Sequence, residues 1–297
     1  MGKERRPLAL AAARGYLGGM SWRIVPTIAV AAAIVVAALA VVGSSHHSAL
    51  DPVANAAEAT ARAGSVEFGM AGNVSTGGQT IPLSGSGAMD MRNLRSHMSM
   101  STSLPGLGQT TIDEIMNGTT IYMHMPQLAS KLPGGKSWMK IDLQAFGKAS
   151  GVDFAKAMQQ NSAQQNPADM LSYLKAVGSS RVVGHEAIRG SDTTHYSATI
   201  DIAKATSRLD KQTGEDLKRL EASAGLTRIP VDVWVDRSGL VRREHLAMSI
   251  SPPGQAAASM DFTLEFLRFG VPVDATPPPA DQVIDFSSLL GTSGSGG

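Results

Sequence analysis

Apolar residues recur at every second position through the first half of this chain, in short runs parted by turn residues. Val66, Phe68 and Met70 alternate with small or polar neighbours, and the pair Gly77-Gly78 marks a turn. The next run places Ile81, Leu83, Gly85, Gly87, Met89 and Met91 on one side against Ser84, Ser86, Asp90 and Arg92. Asn93 turns the chain, after which Met98, Met100, Thr102 and Leu104 oppose His97, Ser99 and Ser101. A strand near 109–116 leads through Asn117-Gly118 into Ile121, Met123 and Met125. A period of two aims alternate side chains at opposite faces, so these runs predict an antiparallel meander with one apolar face.

Elsewhere the period lengthens. Residues 49–63 predict a short amphipathic helix with Pro52 in its first turn and Gly64 as its C-terminal cap. Residues 137–142 suit a short strand, and residues 142–176 turn helical around a Gln-rich stretch at 159–166. A hairpin follows over 181–190 and 193–202, joined through 190–192, with Tyr196, Ala198, Ile200 and Ile202 on one face. Helix returns at 203–222, and strands are expected at 229–236, 240–250 and 257–269. In the last, Met260, Phe262, Leu264 and Phe266 alternate with Asp261, Thr263 and Glu265. The tail from Thr276 is Pro-rich, then Gly/Ser-rich, and is expected to end in disorder over 291–297. The fold class is therefore α+β: one large curved antiparallel sheet of about 10–11 strands, its concave face covered by helices.

Charge and hydropathy add a membrane. The run 24–43, IVPTIAVAAAIVVAALAVVG, contains no charged residue, and at about 1.5 Å per residue it spans about 30 Å, a bilayer core. Lys3, Arg5, Arg6, Arg14 and Arg23 precede it against Glu4 alone, which orients residues 1–23 to the cytoplasm and residues 44–290 to the far side. The run is longer than a signal-peptide core, which favours an uncleaved anchor over cleavage after Ala38-Leu39-Ala40. The basic segment carries +4 of a total of +1, leaving −3 for the remainder, a poor basis for binding nucleic acid. With no cysteine, there are no disulfides, no thiolate metal sites and no lipid-modified cysteine.

No enzyme signature is present: no nucleophile elbow, phosphate loop, dinucleotide fingerprint or zinc-protease motif. Gly184-His185-Glu186 falls in an expected strand, and its histidine reads as a sheet-surface residue. Methionine is the unusual feature, with 15 in the chain and the i, i+2 pairs Met89/Met91, Met98/Met100 and Met123/Met125. Three readings stay open. Met fills irregular cores; it also lines adaptable ligand cavities. The third is a Cu(I) site with His97 and His124, against which alternation points those imidazoles away from the thioethers. Gly85 and Gly87 suit either room beside the sheet or strand curvature.

Two groups of residues carry a resemblance. One is Val183-Gly184-His185-Glu186 with Gly190 and Thr193-Thr194-His195-Tyr196-Ser197-Ala198-Thr199-Ile200-Asp201; the other is Ile229-Pro230-Val231-Asp232-Val233-Trp234-Val235-Asp236 with Gly239-Leu240-Val241-Arg242-Arg243. With the element order over 49–290, they resemble the LolA/LolB-like fold and, most closely, the actinobacterial LppX/LprG-type lipoprotein family. The resemblance implies an unclosed β-barrel around an apolar cavity for acyl chains, a non-enzymatic carrier of lipid or lipoglycan, and no cofactor. The expected cavity wall is Met89, Met91, Met98, Met100, Ile121, Met123, Met125, Tyr196 and Phe262. The family's lipidated cysteine is missing here, its place expected to be taken by the 24–43 anchor. The rival expectation is a structural or sensory ectodomain that binds an envelope protein and has no cavity.

Overall fold

The computed structural model describes residues 52–104, 108–129, 132–143, 180–201, 228–250 and 257–286. The expected basic segment, anchor, helices at 144–176 and 203–222, and disordered end lie outside these residues. Among the described residues no helix is long and apolar enough to cross a membrane.

The chain opens with helix α1 (Pro52–Arg62) and continues as β1 (Ser65–Thr76), β2 (Gln79–Asp90), β3 (Arg95–Leu104), β4 (Gly108–Asn117) and β5 (Thr120–His124). A short helix α2 (Pro126–Ala129) precedes β6 (Trp138–Asp142). Then come β7 (Arg181–Ile188), β8 (Ser191–Asp201), β9 (Arg228–Asp236), β10 (Val241–Ile250), β11 (Ala258–Phe269) and β12 (Val283–Asp285). All belong to one 12-stranded sheet, ordered β12-β6-β5-β4-β3-β2-β1-β11-β10-β9-β8-β7. Its edges, β12 and β7, do not pair with each other, so the sheet is unclosed.

Tight turns set the registers. Gly77 and Gly78 (φ 57° and 78°) and Arg189 and Gly190 (φ 47° and 83°) each place two consecutive residues in the left-handed region, the requirement of two-residue hairpins whose twist matches their strands. The hairpin turn is thus 189–190, one step earlier than the sequence pattern suggested.

The strand count exceeds the expected 10–11 because the Pro-rich tail does not run off as coil. Val283–Asp285 adds to β6 as a parallel strand, Val283 opposite Trp138. Lys136 Nζ donates to the carbonyl of Asp281 at 2.6 Å, and the Ser137 amide donates to that of Gln282 at 3.0 Å. Three residues are too few to show alternation. The pairing is supplied by β6, whose outer edge would otherwise present unpaired backbone groups.

One face of the sheet is the core. Phe68, Met70, Leu83, Met89, Met98, Met100, Ile112, Val233, Leu246, Phe262, Leu264 and Phe266 all bury there in one cluster, as the period-two pattern requires. Among the described residues α1 packs on β9 and β10, and α2 on β4. Thr60 of α1 is fully buried and accepts the Val241 amide through Oγ1 at 2.9 Å, which fixes the helix on β10.

Gly85 and Gly87 serve close approach, not open space. A Cβ at Gly85 would stand 2.5 Å from the Ser99 carbonyl oxygen, and one at Gly87 2.4 Å from that of His97. Their missing side chains let β3 lean over β2 and bend the sheet, with the Phe68 ring lying over Gly87.

Candidate functional site

The expected wall residues share the core face. Met89, Met98, Met100, Ile121, Met123, Met125 and Phe262 are buried, and Met91 and Tyr196 are partly buried against the same cluster. Met91 lies just past β2, in the turn that Leu94 (φ 51°) completes. Ile121 is buried beside Met116 and Ile141, its partners on β4 and β5's other neighbour β6.

The methionines do not tile an unbroken patch. Between β3 and β5 stands β4, which places Glu114 on the core face directly between Met98 and Met123. Following the registers across the sheet gives one row, Met139–Met123–Glu114–Met98–Gly87–Phe68–Phe266. The adjacent row runs Ile112–Met100–Gly85–Met70–Leu264–Glu244–Val233–Tyr196. Each row is apolar except for one glutamate.

Those two carboxyls are the feature that the sequence pattern did not bring forward. Glu244 is 1% exposed, and its Oε2 has no hydrogen-bond partner. Burial pushes its carboxyl up to about 8. Glu114 is 5% exposed, and burial raises it to about 7. Among the described residues no opposite charge offsets either shift, so near neutral pH Glu244 is mostly a protonated acid able both to donate and to accept a hydrogen bond. The signal was parity: Glu114 falls two residues from Ile112 and Met116, and Glu244 two residues from Leu246.

The outer face is organised the opposite way. Arg243 donates to Glu265 Oε1 through Nε at 3.0 Å and Nη2 at 2.6 Å, while Arg189 Nε reaches Oε2 at 2.7 Å. Partial burial alone would raise Glu265, but these two guanidinium groups hold it below the ordinary carboxylate range. His195 stacks on Trp234 at 4.2 Å and bonds Asp232 at 3.0 Å; Trp234 Nε1 donates to Glu186. His185 is exposed on β7, a sheet-surface residue. On the other half Ser99 Oγ donates to Asp113 at 2.8 Å, and His124 lies 3.4 Å from the same carboxylate. There the carboxylate stands between hydroxyl and imidazole, whereas a nucleophile–base relay needs the imidazole between them. His97 and His124 occupy this face while Met98, Met123 and Met125 are buried on the other, so alternation does separate imidazoles from thioethers. Among the described residues no three His, Asp or Glu side chains are grouped to hold a metal ion.

No family model matches the chain. An uncharacterized 31.2 kDa protein of Streptomyces griseus is 33% identical over 179 residues, covering 58% of this chain and 56% of that protein. A Streptomyces coelicolor protein named "putative lipoprotein" is 27% identical over 192 residues, covering 64% and 56%. The chain thus spans about half the length of the curated relatives it matches. Among solved structures, LprF from Mycobacterium bovis gives a TM-score of 0.38 at 15% identity, covering 75% of this chain and 93% of that one. The lipoprotein LppX of Mycobacterium tuberculosis gives 0.40 at 16%, covering 76% and 96%. The likeness is to the LppX/LprG-type lipoproteins. At these TM-scores the likeness carries no argument, and no residue's role is taken from it.

Proposed function

We propose that this protein is a non-enzymatic, extracytoplasmic lipid- or lipoglycan-binding protein, tethered to the membrane by residues 24–43, that holds acyl chains against the methionine-bearing face of its sheet. The observation that carries this reading is the width of that face. Buried apolar residues continue from Met139 on β6 through β5, β4, β3, β2, β1, β11, β10 and β9 to Ala198 on β8. An acyl chain needs apolar area with few polar anchors, and thioethers re-pack around chains of different shape at low cost. The wall is Met89, Met91, Met98, Met100, Ile121, Met123, Met125, Tyr196 and Phe262.

The test is mass spectrometry of organic extracts from the full chain purified from a Streptomyces host. A stoichiometric acylated species is expected, and Met100→Arg, still folded by circular dichroism, loses it. Protein that carries no lipid and takes up no fluorescent phospholipid sinks the reading. A second reading, docking of an envelope protein without a lipid site, is favoured by edge strand β7, where Val182 and Val183 are 58% and 52% exposed. Retention of an envelope protein by a lipid-free chain, lost in Val182→Lys/Val183→Lys, would support it.

A further inference from the structure

An unpartnered carboxyl in an apolar row is a costly place to leave a polar group. Buried acceptors and donors are almost always satisfied, and one left alone costs the full desolvation of the group. Glu244 is enclosed by Val233 on β9, Leu264 on β11 and Leu246 on its own strand. Glu114 is enclosed by Met98 on β3, Met123 on β5, and Ile112 and Met116 on its own strand. No described side chain bonds either carboxyl, although partners were available to neighbouring acids: Arg243 serves Glu265, His245 lies 3.3 Å from Asp261, and Arg242 serves Asp236 at 2.6 Å.

Among the described residues the charged groups nearby are accounted for. On β10 itself Arg242, Arg243 and His245 engage Asp236, Glu265 and Asp261. Facing Glu244 from β9 and β11 are only aliphatic residues, and α1, packed over this end, carries Glu58 and Arg62 in its sequence. Around Glu114, Asp113 and His124 pair with each other on the far face.

We infer that Glu244 and Glu114 are the polar anchors of the ligand site, and that they select an acyl ligand whose head donates a hydrogen bond, a hydroxyl or an amine, over one with an anionic head. This rests on the lipid-binding reading above. A hydroxyl both gives a hydrogen to the unpartnered oxygen and accepts one from the protonated acid. An ammonium head instead pairs with the ionised form. A carboxylate or phosphate head can only accept, so each rise in pH that ionises the glutamates turns acceptance into repulsion.

Three photoreactive probes with the same diazirine-bearing C12 chain separate these cases: an alcohol, an amine and a carboxylate. Each is photolysed with the full chain in phosphatidylcholine vesicles at pH 6 and pH 9.5, and label on β2–β5 and β9–β11 peptides is counted by mass spectrometry. Comparison with Glu244→Gln and Glu114→Gln in identical vesicles cancels probe partitioning and probe titration. Gln keeps the size and hydrogen-bonding capacity but cannot ionise. The expected result is at least a tenfold fall in carboxylate label relative to alcohol label between the two pH values in the native chain. That fall shrinks several-fold in one or both variants, while amine label rises with pH only in the native chain. Equal labelling by all probes, with variants that match the native chain, overturns the anchor inference and leaves the lipid reading standing. Absence of label on the sheet from every probe overturns both.

Discussion

Glu244 and Glu265 sit on neighbouring strands, one step apart in register, and meet opposite fates. Arg243 stands opposite Glu265 on the outer face, whereas Glu244, the next residue along β10, stands opposite Leu264 on the core face. The first carboxylate gathers two arginines and is held ionised; the second gathers none and is pushed toward its neutral form. The two faces therefore use one residue type for different ends. Pairing outside fixes strands to one another, as Glu265 does for β11, β10 and Arg189 after β7. Inside, no described side chain bonds Glu244 or Glu114, and buried acids without a compensating partner are best understood through what they meet there.

The largest expected effect sharpens the contrast from the apolar side. Phe262 is among the most completely buried large side chains, at 1% exposed, opposite Gly72 on β1 and Leu246 on β10. A Cβ on Gly72 would come within 3.0 Å of the ring, so the aromatic fills the space that glycine leaves. Phe262→Ala is expected to lower stability by about 3–5 kcal/mol, the transfer of a buried ring plus the cavity it leaves. Urea denaturation followed by tryptophan fluorescence measures it. A loss under about 1 kcal/mol would show that this end of the face is loosely packed.

Next in size is a pair of substitutions with opposite signs. Glu244 holds its proton more tightly in the folded chain, so its contribution to stability falls as pH rises from the ordinary range near 4.5 to about 8 and is level beyond that. Glu265 is shifted the other way; its contribution is present above the ordinary carboxylate range and is lost as pH falls through its lowered value. At pH 9 Glu244→Leu is expected to be more stable than the native chain by about 1–3 kcal/mol, with the gain shrinking toward pH 4. Glu265→Leu is expected to cost about 1–3 kcal/mol at pH 7, because the partly buried Arg243 loses its carboxylate, with the exposed Arg189 adding little. Denaturation midpoints at pH 4, 7 and 9 decide both. If the two variants move together at pH 9, the division of labour between the faces is wrong.

The sheet was legible in the sequence because period two is a direct consequence of strand geometry, and eleven of its twelve strands coincide with alternating or turn-bounded runs. What escaped had physical reasons. β12 is too short to alternate and borrows its pairing from β6. The methionine pairs share a face, as parity demands, but parity does not say which strand lies between them, so Glu114 was not seen to divide Met98 from Met123. Both buried glutamates lie on apolar parity. An acid among apolar positions is ordinarily read as marking the exposed face, although here the pattern itself placed it inside. The glycines at 85 and 87 left two meanings open, and only the distance from a built Cβ to the next strand's carbonyl separates room from curvature.

The smallest effect tests whether pairing as such, or pairing with burial, gives the outer face its value. Arg237 and Asp192 form a 2.8 Å ion pair between the 237–239 turn and the start of β8, but their side chains are 85% and 64% exposed. Such a pair gains little Coulomb energy against water and gives up rotamer freedom to form. Arg237→Ala is therefore expected to change stability by less than about 0.5 kcal/mol, and by still less as salt rises from low to physiological ionic strength. Arg243, opposite the same Trp234 that stacks on His195 and only 28% exposed, makes the contrast. If Arg237→Ala cost as much as the loss of Glu265, geometry alone would set the worth of an outer-face pair. A negligible cost instead assigns that worth to the shielding that Glu265 has and Asp192 lacks, the same shielding that, without a partner, lifts Glu244 on the face behind it.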